Sequence, residues 1–368
     1  MKNLRLTFLT IAVLLSGFSG VKAWGFWAHQ RINRMAVFTL PPDMMVLYKK
    51  HLEYLTVHAV DPDKRRYAVN GEAPRHYIDI DHYGENPFEV VPREWEAAVK
   101  KLSEDTLMAY GIVPWHIQRS YFWLVGAFRD GNIDAIMKLS ADLGHYVADA
   151  NVPLHTTENY NGQMTGQKGI HALWESRLPE IFGEDYNYFI GRAEYQEDIL
   201  EMAWQGVYEA HMCLDSVLGF EQKLTERFPS DRKYAFENRN NSLTKAYSRE
   251  FCEAYHNMLN GQVERRARAS ILRVGSLWYS AWVDAGQPDL KALIEKELAP
   301  RNDKYDRKLK IIDREANAIG MAVPHNTYEL VFGQCSGHQM ERHVCVHHRE
   351  KDTSTARFWP LRAADLGL

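Results

Sequence analysis

The sequence predicts an all-α protein, built as a single helical domain followed by a C-terminal extension. Apolar residues recur with helical period along six stretches of the chain, and loops rich in Pro, Gly and Asn separate those stretches. There is no convincing strand alternation and no internal repeat of fixed period. Hydrophobic residues make up 45% of the 368 residues and aromatic residues 12%, which is enough for a substantial core.

The first 23 residues have the pattern of a signal peptide. Lys2 and Arg5 precede an apolar run that ends near Phe18, and Ala23 offers a small residue at a cleavage position. The alternative is an uncleaved membrane anchor, but the apolar run is short for a membrane span. We therefore expect export, to the periplasm or outside the cell, with a mature chain that begins at Trp24 and has no stable membrane span.

The predicted helices follow in order along the mature chain. The first combines a stripe of apolar residues with His29 and stops at Pro41-Pro42. The predicted helices cover 28–39, 42–57, 133–149, 170–178, roughly 195–227 and 240–285. The predicted loops cover 61–75, 84–93, 111–115 and 151–169.

Charge and cysteine content narrow the functional classes. The net charge of −4 becomes −7 once Lys2, Arg5 and Lys22 are removed, so no general positive field attracts nucleic acid. Four cysteines remain for an oxidising compartment, Cys213, Cys252, Cys335 and Cys345. They could pair as 213–252 and 335–345, although three connectivities are open.

The chain changes character near residue 300. We expect a helical domain over 24–300 and an extension over 301–368, which is polar, rich in Cys and His near its end, and expected to be poorly ordered. The Cys/His spacing of this extension matches no zinc module.

Two pairs of metal-ligand residues stand at helical spacing. His145 and Asp149 are four residues apart, as are His171 and Glu175, so each pair presents an imidazole and a carboxylate on one helix face. Pro153 ends the first helix and lets His155 turn towards the same place. Zinc accepts this mixture of nitrogen and oxygen ligands.

Further candidate ligands lie upstream. His76 offers another imidazole, and either Asp61 or Asp63 could add a carboxylate. Asp79 and Asp81 could instead orient His76 without binding the metal themselves. After cleavage, the amino nitrogen and carbonyl oxygen of Trp24 could chelate a metal together with His29.

These residues, in this order, resemble the superfamily of zinc-dependent phospholipases C and single-strand-specific three-zinc nucleases, which are all-α and begin at a mature Trp. The resemblance spans residues 24–178 and implies three zinc ions. The first would be held by Asp61, His76, His145 and Asp149, the second by Trp24, His29 and Asp149, and the third by His155, His171 and Glu175.

The resemblance also implies an activity. Zinc-activated water would attack the phosphorus of a phosphodiester in line, with Asp61 as candidate general base and Asp149 bridging two metals. The spacing from Trp24 to His29 is typical of the nucleases. The interval from His155 to His171, with Asn161 inside it as a candidate substrate-binding residue, and Glu at 175 are typical of the phospholipases.

We expect an exported, phospholipase C-like hydrolase of phospholipid, without a predicted protein partner. A single-strand-specific nuclease of the same superfamily is the alternative. A non-catalytic zinc-binding surface protein is the alternative from another class.

Overall fold

The structure, a computed structural model, describes residues 25–239 and 242–298. The predicted signal peptide, Trp24 and the predicted extension from residue 301 lie outside the described residues. The described helices belong to one compact unit that ends at Ala299.

Short helices dominate the first part of this unit. They are α1 (Phe26–Ala36), α2 (Pro42–Lys50), α3 (Leu52–Val57), α4 (Asp61–Arg65), α5 (Pro87–Val90), α6 (Trp95–Leu102) and α7 (Glu104–Tyr110). 3₁₀ turns join them over Val37–Thr39, His58–Val60, Ala73–His76 and Ile80–Tyr83.

The remaining helices include the longest ones. They are α8 (Val113–Arg129), α9 (Ile133–Asp149), α10 (Ile170–Ala172), α11 (Leu178–Phe182), α12 (Ile199–His211), α13 (Leu214–Arg227), α14 (Arg249–Leu259), α15 (Gln262–Asp284) and α16 (Leu290–Leu298). 3₁₀ turns cover Pro153–His155 and Gly183–Asp185, and a π-helical turn, Leu173–Arg177, joins α10 to α11.

The core lies where α1, α8, α9 and α15 pack together. Asn132 caps the start of α9, because its side chain accepts a hydrogen bond from the Ala135 N–H, and every residue from Ser140 to Asp149 is buried. Ser140 ties three helices together, because its hydroxyl contacts the Tyr48 hydroxyl at 2.8 Å and its carbonyl accepts from Trp278 Nε1 at 3.0 Å. The candidate metal-ligand residues of α9 therefore lie among packed helices that fix their positions.

The predicted helix over 240–285 is wrong at its start. Residues Tyr234–Arg239 and Ser242–Tyr247 form two antiparallel strands, β1 and β2, in which Tyr234 pairs with Tyr247. The helices of this segment begin only at Arg249 and Gln262, and Asn260 and Gly261 separate them with positive φ angles of 47° and 74°. A continuous helix cannot pass through two left-handed residues.

Three predictions for other parts of the chain are also corrected or refined. Helices α6, α7 and α8 occupy a region for which no helix was predicted, and α8 begins within the predicted loop 111–115. Cys213 and Cys252, the two cysteines among the described residues, both have free thiols, so the 213–252 pairing is wrong. Their sulfurs instead lie near backbone carbonyls of Glu209 and Tyr247.

Within the described ranges, no helix has the length and apolar character needed to cross a membrane.

Candidate metal centre

Three groups of imidazoles and carboxylates meet at one end of α9. In each group the ligand atoms lie within 4.8 Å of one another. The groups are His29, His145 and Asp149; Asp63, His76 and His145; and His155, His171 and Glu175.

Asp149 lies at the centre of the site. Its Oδ2 is 2.9 Å from His76 Nδ1 and 3.2 Å from His145 Nε2, while its Oδ1 is 3.4 Å from His29 Nε2 and 3.4 Å from His155 Nδ1. The carboxylate therefore faces side chains from α1, from α9 and from the two 3₁₀ turns that end at His76 and His155. A ligand in this position can bridge two cations.

Helix α1 supplies His29 because it crosses close to α9. The His29 ring stacks on the His145 ring with 3.9 Å between centroids. Both nitrogens of His29 are buried without a hydrogen-bond partner in the described structure. Gly144 allows this approach, since a Cβ there would stand 2.1 Å from Asn33 Oδ1 on α1.

The two candidate aspartates, Asp61 and Asp63, lie in different environments. Asp61 accepts hydrogen bonds from Lys64 (2.8 Å) and contacts His58 Nδ1 (2.5 Å), and its side chain is 32% exposed. The Asp63 side chain is 7% exposed, and its Oδ1 lies 3.6 Å from His145 Nε2 and 3.7 Å from His76 Nδ1. The expectation of Asp61 beside these histidines is corrected: one helix turn directs Asp61 to the surface and Asp63 inwards.

The third group forms around Glu175. Its Oε1 lies 3.1 Å from His171 Nε2 and its Oε2 lies 3.3 Å from His155 Nε2. Glu175 belongs to the π-helical turn, and such wider turns occur frequently at functional sites. The four-residue spacing of His171 and Glu175 predicted that the two side chains would meet, and they do. The backbone between them forms a π-helical turn instead of the predicted α-helical one.

Three of the histidines donate Nδ1–H to backbone carbonyls. The acceptors are Ala59 for His145 (2.8 Å), His76 for His155 (2.9 Å) and Tyr160 for His171 (3.0 Å). The proton on Nδ1 leaves Nε2 with a lone pair directed into the site. This is the arrangement that metal-binding histidines have in proteins.

His76 has the opposite orientation, and a residue missed in the sequence faces its other nitrogen. His76 presents Nδ1 to the site, while Nε2 is 3.8 Å from Oε1 of the fully buried Glu72. Glu72 also pairs with Arg65 (3.1 Å) and Arg75 (2.6 Å) and accepts a hydrogen bond from the Tyr146 hydroxyl. The four-residue spacing of Glu72 and His76 could have predicted this contact from the sequence. Asp79 and Asp81, which we expected to orient His76, belong to another cluster.

Electrostatics keep Asp149 and Glu175 ionised despite their burial. Burial alone would raise the pKa of Asp149, but His145 and His155 hold it well below the ordinary value. Burial likewise opposes the ionisation of Glu175, and His171 and His155 lower its pKa. Burial lowers the pKa of His145, but Asp149 and Asp63 raise it to about 9, so a metal that binds at Nε2 has to displace a proton.

The donor set fits zinc. Seven buried nitrogen and oxygen atoms of the candidate ligand residues have no hydrogen-bond partner among the described residues, which is a large concentration for a protein interior. They are His29 Nδ1, His29 Nε2, Asp63 Oδ2, His76 Nε2, Asp149 Oδ1, Glu175 Oε1 and Glu175 Oε2. Facing nitrogens, His145 Nε2 with His76 Nδ1 and His155 Nε2 with His171 Nε2, are 3.0 and 3.2 Å apart. Tetrahedral zinc at 2.0–2.1 Å from nitrogen separates its ligands by about 3.3 Å.

Two further predicted residues remain. Asn161 Oδ1 accepts a hydrogen bond from the Gly169 N–H at 3.0 Å, so this side chain closes the loop before His171. Trp24 lies outside the described residues. The N–H of the next residue, Gly25, donates to the Glu175 carbonyl at 3.2 Å, so the described chain starts beside the third group.

Two solved structures resemble the chain: the alpha toxin from Clostridium absonum (TM-score 0.43, 12% identity) and the Clostridium perfringens alpha-toxin isolated from an avian strain (TM-score 0.41, 14% identity). Each match covers 74% of this chain and 67% of the toxin chain. No curated protein matches in sequence.

The family model described as zinc dependent phospholipase C matches residues 28–237, which is more than half of the chain. That range contains every candidate ligand from His29 to Glu175. The all-α architecture predicted from the sequence is confirmed, and the chain belongs to the zinc-dependent phospholipase C family, whose members are hydrolases of phosphoric ester bonds.

Proposed function

We propose that this protein is an exported enzyme that hydrolyses phospholipids in the manner of a phospholipase C. The observation that carries the proposal is the orientation of the histidines. Backbone carbonyls hold the Nδ1 protons of His145, His155 and His171, so their Nε2 lone pairs converge with the carboxylates of the three groups. A site made only for stability needs no such concentration of unpartnered atoms.

We propose three zinc ions, with one change from the ligand set implied by the resemblance. The first ion takes Asp63 in place of Asp61, with His76, His145 and Asp149. The second takes Asp149, His29 and the free amino terminus of Trp24, and the third takes His155, His171 and Glu175. When bound, zinc lowers the pKa of water and neutralises charge on the phosphoryl group during in-line displacement.

The carboxylate of Asp63 suits the role of general base. Its Oδ1 faces His76 and His145, while its Oδ2 is buried without a hydrogen-bond partner among the described residues. Oδ2 can therefore accept a proton from an attacking water. The two oxygens of Asp63 would thus have different roles: Oδ1 faces the histidines, and Oδ2 would face the reacting water.

We also propose cleavage between Ala23 and Trp24 during export. The positively charged start, the short apolar run and the small residues before position 24 support it. The hydrogen bond from Gly25 to the Glu175 carbonyl also supports it, because it brings the start of the mature chain beside the ligand residues.

Acidic residues beside the site favour a phospholipid over a nucleic acid. Asp81 accepts hydrogen bonds from the Thr157 hydroxyl (2.6 Å) and the Glu158 N–H (3.1 Å), in the loop that follows His155. Burial and the negative field of Asp81 and Glu158 raise the pKa of Asp79 to about 7, so Asp79 itself carries only part of a charge near neutral pH. A polyanion binds where cations neutralise several phosphates, and this cluster opposes such binding.

One assay tests the proposal. Exported, processed protein is given phosphatidylcholine and single-stranded DNA side by side, with and without zinc, and Asp149→Ala serves as the inactive control. We expect zinc-dependent release of phosphocholine, little cleavage of DNA and loss of activity in the variant. DNA cleavage without lipid hydrolysis would identify a nuclease, and bound zinc without hydrolysis of either substrate would identify a non-catalytic zinc protein.

A further inference from the structure

The hairpin formed by β1 and β2 has one face whose outer part, beyond the buried Tyr247, the rest of the described structure leaves exposed, and we call it the uncovered face. Strand alternation and the register place six side chains on this face. They are Tyr234, Phe236, Asn238, Leu243, Lys245 and Tyr247. The face thus contains aromatic, aliphatic and cationic groups and no carboxylate.

Two large apolar side chains project from the outer part of this face. Phe236 is 70% exposed and Leu243 is 72% exposed. Phe236 pairs with Lys245 and Leu243 pairs with Asn238, so the two apolar residues are diagonal neighbours about 7–8 Å apart. Single exposed apolar residues are common, but a paired set on an isolated hairpin is an unusual concentration.

Charge is distributed unequally between the two faces. Glu237 belongs to the opposite face, where it pairs with Arg177. On the uncovered face, the Lys245 ammonium lies 4.0 Å from the centroid of the Tyr234 ring. The exposed side therefore offers apolar tips and a cation, which complements the acyl region and the phosphates of a lipid surface.

The base of the hairpin connects this face to the metal centre. Tyr247 is buried and packs against the Tyr234 and Phe251 rings, with 5.0 and 5.3 Å between centroids. The edge of the Tyr247 ring also lies beside Gly169, the residue that precedes the helix bearing His171. An isolated hairpin is only marginally stable, so this aromatic base fixes its position relative to the site.

We propose that the uncovered face of this hairpin docks the protein on the surface of a lipid bilayer, with Phe236 and Leu243 inserted between headgroups and Lys245 at the phosphates. The proposal rests on the proposed phospholipase function, because that function requires access to lipids in a bilayer. The docked hairpin would hold the metal centre at the surface that contains its substrate.

The test separates docking from hydrolysis. Zinc-loaded, processed protein is sedimented on ice with phosphatidylcholine vesicles containing some phosphatidylserine. Hydrolysis is measured separately on a short-chain phosphatidylcholine below its micelle concentration. The double variant Phe236→Ser, Leu243→Ser is compared with Phe236→Trp, which keeps an interfacial aromatic, and with Phe189→Ser, which removes an 89% exposed aromatic outside the hairpin.

We expect the double variant to bind vesicles at least about a hundredfold less, since each of the two inserted apolar side chains contributes about tenfold or more. Its hydrolysis of the dissolved substrate should stay within about twofold of the wild type. Phe236→Trp and Phe189→Ser should bind vesicles like the wild type.

Vesicle binding that survives the double substitution would overturn the proposal, as would an equal loss in Phe189→Ser. So would a wild-type protein that does not bind vesicles. Because sedimentation needs no turnover, a protein that binds vesicles through the hairpin but hydrolyses nothing would overturn the proposed function and leave the docking surface supported.

Discussion

Asp61 and Asp63 are two residues apart and chemically identical, but they have different environments. Asp61 is surrounded by His58 and Lys64, each three residues away, whereas Asp63 faces the buried histidines. The sequence left the choice open because a short Asp-Pro-Asp segment has no periodicity that shows which side is buried. The i,i+3 partners of Asp61 were the available signal.

The pair provides a matched test at the residue scale. Asp63→Asn should remove a ligand charge from the centre and lower the bound zinc by about one ion per chain. Hydrolysis should fall at least about a hundredfold, because mutating a residue that only supports a metal ligand already lowers metal affinity or activity about 10–100-fold. Asp61→Asn should change little, because exposed ion pairs contribute about 0–1 kcal/mol. Elemental analysis and a diester assay measure both effects, and the opposite ranking would return the ligand role to Asp61.

The contact between α1 and α9 determines where His29 meets His145 and Asp149. Asn33 follows His29 by one helical turn, and its Nδ2 donates to the Ala141 carbonyl of α9 at 3.1 Å. Gly144 is the residue that leaves room for Asn33. Helical periodicity predicted both helices. It could not predict the need for glycine at 144, because that need depends on a contact between residues 111 positions apart in the chain.

Gly144→Ala should therefore damage the centre without touching a ligand. The added methyl group collides with Asn33 and separates the helices, which should cost about 1–3 kcal/mol of unfolding free energy and weaken zinc binding. Gly126→Ala in α8 is the control, because a Cβ there meets no atom within 4 Å and should stabilise the helix by about 0.5–1 kcal/mol. Thermal unfolding and zinc competition with a chelator check both, and equal behaviour of the two variants would contradict this explanation.

The hairpin shows why one element was missed. Residues 234–247 contain aromatics at alternate positions, Tyr234 and Phe236, and an Asn240-Asn241 pair between the strands. Both features are typical of hairpins. The apolar pattern of the helices on either side dominated the sequence, and the strand signal was short.

At the scale of the whole molecule, the sequence predicted the all-α class and the family because the two His/carboxylate pairs report local helix geometry. It did not predict Glu72 as the carboxylate facing His76. That contact depends on how the segment between α4 and α6 folds over α9, where Arg65 and Tyr146 meet Glu72. Local spacing thus revealed the ligands, while tertiary packing determined the residues that support them.

Anomalous X-ray scattering at the zinc absorption edge, from crystals of the processed protein grown without chelator, is the most direct measurement of this centre. We predict three zinc peaks: one between Asp63, His76, His145 and Asp149, one beside Asp149 and His29, and one between His155, His171 and Glu175. Absence of zinc from these three groups, or a single peak elsewhere on the molecule, would contradict the proposed metal centre and the hydrolysis assigned to it.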